Sequence, residues 1–112
     1  MDKFMLLFRF NPEVFQQAPP SPEDMQADLQ RWLDWMGTLT QQGKMAGGEQ
    51  LQMGGRVVSG TAKAVTEGPF AESKEIVSGY LLILAADLDE ATEIGKGCPV
   101  LLSGGSVEIR PV

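Results

Sequence analysis

The stretch IVSGYLLILA, Ile76–Ala85, decides the fold. Strand alternation puts Ile76, Tyr80, Leu82 and Leu84 on one side and Val77, Leu81 and Ile83 on the other. A strand with one wet face shows polar residues at every second position. This one is apolar on both faces, so it reads as a central strand covered on both sides. Lys3–Phe10 has the same property, with Phe4, Leu6, Phe8 and Phe10 facing one way and Met5 and Leu7 the other.

Between these two strands the chain reads as follows. NPEVFQQAPPSPED carries Pro12, Pro19 and Pro20, which predict a loop long enough to form a flap. Ser21-Pro22-Glu23-Asp24 is a helix start: a capping serine, a proline at the first helical position and two acids in the first turn. The helix is expected to run to Gln42 and stop at Gly43. Met25, Leu29, Trp32, Met36 and Leu39 form its apolar stripe, widened by Leu33 and Trp35. Residue preference makes both tryptophans core; the sharper reading has Trp35, at the stripe's edge, lining a pocket. KMAGGEQLQM reads as a weak strand, and RVVS and AKAVTE as a small hairpin joined at Gly60. The Gly-Gly pairs are turns or bulges.

After the central strand, Asp87 and Glu90 predict a capping box for a second helix ended by Gly97 and Pro99. SVEIRPV closes the chain as a half-exposed edge strand, with Val107 and Ile109 on one side and Glu108 and Arg110 on the other. The order is strand, helix, strand, inserted hairpin, strand, helix, strand. This is an α+β, ferredoxin-like split βαβ arrangement in one domain spanning 1–112, and its first and third main strands are central. Helices cover only one face of such a sheet. The other apolar face calls for a second copy, sheet against sheet, so the expected assembly is a homodimer.

The chain has 112 residues, net charge −6, a single cysteine and no histidine. The acidic balance argues against nucleic-acid and membrane partners. One cysteine forms no intramolecular disulfide, which fits a cytoplasmic protein. The apolar run Phe4–Phe8, broken by Arg9, is too short for a leader or a membrane span. Without histidine there is no histidine base or usual transition-metal site. Cys98 reads as an inert core thiol.

The loop between hairpin and central strand, TEGPFAESKE, joins a rigid Gly68-Pro69 corner to an apolar anchor, Phe70, and a set of charges: Glu67, Glu72, Lys74 and Glu75. Local chemistry favours a well-made turn, since surface pairs contribute only about 0–1 kcal/mol. The functional reading holds its carboxylates at a cleft.

TEGPFAESKEIVSGYLLI, followed by DLDEA, CP and VEIRPV, resembles the YCII-related family, in particular its DGPF-domain branch. Glu67 stands where that branch carries Asp, and Ser73 where Thr is usual. The resemblance implies the ferredoxin-like dimeric barrel and no established activity. Some relatives occur fused to, or beside, alternative sigma factors. A His-Asp pair proposed as catalytic in the wider family has no counterpart here.

The candidate site then comprises Glu67, Glu72 and Glu75 as general bases, with Asp34 joining them if the first helix faces the barrel mouth. Arg9 and Arg110 are candidate anchors for a carboxylate-bearing ligand, unless each pairs with a local Glu. Trp35, Phe70, Ser73 and Lys74 complete the expected lining. No cofactor and no metal is expected. The expected ligand is a small polar or acidic molecule, with lyase or isomerase chemistry as the enzymatic option. The alternative is a non-catalytic interaction or regulatory module, for example an accessory to an alternative sigma factor.

Overall fold

A computed structural model of the chain describes residues 1–17, 19–68 and 75–112, the side chains at 15–17 excepted. The elements run β1 (Asp2–Phe10), α1 (Pro12–Gln17), α2 (Pro22–Gln41), β2 (Met45–Gln50), β3 (Arg56–Ser59), β4 (Ala64–Glu67), β5 (Ile76–Ala85), α3 (Leu88–Lys96) and β6 (Ser106–Pro111), with a 3₁₀ turn over Pro99–Ser103.

Strands β2, β5, β1 and β6 form one antiparallel sheet in that order, and β3 pairs with β4 in a separate hairpin. This is the ferredoxin-like α+β fold, with the two doubly apolar strands at its centre. Phe4, Leu6 and Phe8 of β1 and Leu81, Ile83 and Ala85 of β5 are buried on one face. Leu39 of α2, Ala91 of α3, Cys98 and Val100 pack against them. Val107 and Ile109 of β6 join the same core. On the opposite face Met5, Leu7, Tyr80, Leu82 and Leu84 are half-buried, and α2 and α3 leave that face open.

Caps fix the helix boundaries. Ser21 Oγ accepts from the Asp24 amide at 3.1 Å and Asp24 Oδ2 accepts from the Ser21 amide at 3.3 Å, a complete capping box. Asp87 Oδ1 accepts from the Glu90 amide at 2.8 Å, but the return bond to Glu90 comes from the Ala86 amide. Gly43, at φ 70°, takes the left-handed conformation that ends α2.

Three expectations are corrected. The stretch after β1 is not all loop. Pro12 costs nothing at the first helical position, and Asn11 Oδ1 accepts from the Glu13 amide at 2.9 Å, so a short α1 forms. The row of Ile76 with Tyr80, Leu82 and Leu84 is broken. The register passes from Phe8↔Gly79 to Arg9↔Val77, so Ser78 bulges out and Ile76 falls opposite Phe10. Finally, β2 ends at Gln50, leaving Leu51 and Met53 exposed.

The molecule is flat, 44 × 39 × 19 Å, and its radius of gyration is 15.6 Å, against about 13 Å for a closed domain near this length. The β3–β4 hairpin projects alone, and its cross-strand pair Val58–Val65 is exposed, at 64% and 60%.

Candidate functional site

Helix α2 has 20 residues, about 30 Å of length, and only its C-terminal half is seated. There Leu39 is buried, and Trp32, Trp35 and Met36 pack on the core. Phe8, Trp32 and Trp35 lock together edge to face, with ring centroids 5.0 Å (Phe8–Trp32), 6.1 Å (Phe8–Trp35) and 5.8 Å (Trp32–Trp35) apart. The N-terminal half stands off the sheet. Met25 and Leu29 belong to the same apolar stripe yet are 55% and 58% exposed.

Under this overhang lies a cavity of about 490 Å³, within the usual range for a small-molecule site. Helix α2 contributes Met25, Asp28, Leu29, Trp32 and Met36 to it, and β1 contributes Phe8 and Phe10. Residues 48–50 of β2 and 78–81 of β5 line the sheet side, and Val100 and Ser103 the far wall. Gly48 and Gly79 bring no side chain into it. A Cβ at Gly79 would stand 2.8 Å from the Glu49 carbonyl oxygen, so β2 and β5 approach too closely there for anything larger.

Asp28 is the polar position on the apolar stripe of the overhang. It is half-buried while residues 22–27 are all exposed. It makes no hydrogen bond or ion pair with any described residue, and its charge is felt at Cys98. Burial pushes the Cys98 thiol up to about 12, so Cys98 is an inert core thiol.

Of the residues anticipated from the sequence, none of those described lines this cavity. Phe70, Glu72, Ser73 and Lys74 lie outside the described residues. Glu67 is exposed and stands 3.6 Å from Arg56 Nε. Glu75 Oε2 accepts from Ser106 Oγ at 3.0 Å. Arg9 and Arg110 share one carboxylate, each 3.1 Å from Glu108. Hydrogen bonds from Arg110 and then Arg9 hold the Glu108 carboxyl below its usual range. Asp34 is exposed and accepts from Gln30 Nε2 at 2.8 Å. Trp35 buttresses Trp32 and is not among the described residues that line the cavity. Among the described residues no cluster of metal-ligating side chains occurs, and none of their helices is long and apolar enough to cross a membrane.

Sequence reasoning missed Phe8, Asp28, Trp32, Gly48 and Gly79 as lining. Asp28 could have been found, because it sits between Met25 and Trp32 at helical spacing and interrupts their stripe.

The fold and the cavity define a small α+β protein with an open sheet face and a pocket under its long helix. The YCII-related domain model matches residues 3–112, and the chain belongs to that family. An uncharacterized protein of Rhizobium meliloti (strain 1021) is 45% identical over 49 residues, covering 43% of this chain and 40% of that protein. The match therefore spans about two fifths of that relative's length.

Proposed function

We propose that this chain is a small-molecule-binding protomer of a homodimer, of the DGPF branch of its family. The cavity under α2 carries the reading: it has the volume and the aromatic walls of a ligand site. It also lies at the end of the sheet where β1 leaves at Phe10 and β5 enters at Ile76. The Glu67–Glu75 loop leads into β5 at Ile76, which supports reading the expected cleft and this cavity together. The second copy is supported by the half-buried apolar face Met5–Leu7–Tyr80–Leu82–Leu84 and by the lone hairpin. Two strands alone are at best marginally stable in water, and a partner would cover both features.

Acid–base catalysis by the loop carboxylates remains the enzymatic form of this proposal. An acidic ligand held by Arg9 or Arg110 would have to compete with Glu108 for them. The second reading, an interaction or regulatory module, is favoured by the exposed Met25, Leu29, Val58 and Val65.

A thermal-shift screen of small metabolites tests binding, run on the parent, on Leu29→Trp and on the pair Glu72→Gln, Glu75→Gln. Leu29 lines the cavity and is exposed, so a larger side chain fills the mouth at little cost to the fold. Compounds that stabilise the parent and not Leu29→Trp place the site under α2. Loss of the shift in the loop pair alone moves the site to the loop. Stabilisation of no variant by any compound favours the module.

A further inference from the structure

We propose that the cavity selects a small amine, held by its cationic nitrogen on Asp28 and by its apolar body against Trp32 and Phe8. This inference rests on the small-molecule reading above and adds the ligand's chemical class.

Asp28 occupies the one inward, half-buried position in the overhanging part of α2, where the stripe's spacing calls for an apolar side chain. A carboxylate beside an apolar cavity loses hydration and normally recovers it through a hydrogen bond or an ion pair. No described residue supplies either. The described residues around the cavity include no Lys or Arg, while Glu49 adds a second carboxylate to its outline. The other polar residues among those described around it carry no charge: Gln50, Ser78, Tyr80 and Ser103. Ser78 Oγ already points back to the Phe8 carbonyl oxygen, at 3.4 Å.

Charge and shape therefore agree. An organic carboxylate would meet two carboxylates and no described cation. An ammonium group gains the unpaired Asp28 as a charge-assisted acceptor. It also meets Trp32 on the cavity wall, and aromatic rings attract cations, Trp most strongly. The edge-to-face packing of Phe8, Trp32 and Trp35 holds these rings before any ligand arrives, which lowers the ordering cost of binding.

Three probes of one size separate the possibilities: 2-phenylethylamine, 2-phenylethanol and 3-phenylpropionate. Binding is read by fluorescence of the chain's two tryptophans on the parent, Asp28→Asn and Asp28→Glu. Because Asp28 sits on a helix and makes no hydrogen bond or ion pair with a described residue, circular dichroism is expected to show both variants folded. The expected result is that the amine binds the parent about tenfold or more tighter than the alcohol, the size of one charge-assisted hydrogen bond. Asp28→Asn erases that margin while still binding the alcohol, and Asp28→Glu keeps part of it. If the propionate binds as tightly as the amine, or Asp28→Asn leaves the margin intact, the amine class is wrong while the cavity still binds. If none of the three binds the parent, both the amine class and the cavity reading fall.

Discussion

Leu6 and Ile83, the two large side chains buried without remainder, lie on the paired strands β1 and β5 at the middle of the sheet. Alternation assigns both to the central strands, and those strands carry the core. Cys98 is equally legible, as a small apolar residue on the inner side of a helix end. It yields a checkable pH dependence. Its thiol's pKa rises from 9.0 to about 12 on folding. A group of this sign adds stability below its unfolded pKa and loses it as pH climbs toward the folded value. Cys98 should contribute to a fall in stability between pH 9 and about 12, seen as a declining melting temperature that Cys98→Ala shows less steeply. At pH 8 the native protein should resist thiol reagents until denaturant is added. Asp28 was overlooked for a physical reason. A polar residue on an apolar stripe has meaning only once the overhang beside it is known, and helical spacing does not say where a helix leaves its sheet.

Elements were legible where local chemistry fixes them. Ser21 and Asp24 start α2, Gly43 stops it, and the order of strands and helices gives the ferredoxin-like topology. The short α1 is hidden in the sequence because prolines generally break helices, and only the structure puts Pro12 at the first helical position, where one is accepted. The Ser78 bulge is hidden because apolar residues resume on both sides of Ser78-Gly79, and only the pairing with β1 reveals the skipped residue. The β2–β5 contact was equally hidden, since Gly48 and Gly79 look like ordinary glycines until the strands are paired. Adding a Cβ at Gly79 meets the Glu49 carbonyl oxygen at 2.8 Å. Gly79→Ala should therefore cost about 1–3 kcal/mol in urea unfolding, and amide exchange along β2 should quicken. An unchanged midpoint would mean that the two strands do not approach this closely.

For the whole molecule, the sequence implied a sheet with two apolar faces and helices for only one of them. The open face and the flat outline are that implication in three dimensions. On the proposed homodimer, Leu82 lies at the centre of the buried surface. Leu82→Asp should turn a dimer into a monomer by light scattering after gel filtration, whereas Leu102→Asp, at an exposed site, should not. Of the loop motif that signals the family, Glu67 faces solvent beside Arg56, and residues 69–74 lie outside the described ones.

Small-molecule binding between α2 and the sheet underlies the proposed function. Nitrogen–proton correlation spectra during titration with a small-fragment set test it most directly, because the indole N–H of Trp32 and the amides of Gly48 and Gly79 report on the cavity. Bound fragments should shift these three signals together and leave the hairpin amides of Val58 and Val65 in place. Shifts confined to the hairpin or the open face, or none at all across the set, would contradict this binding.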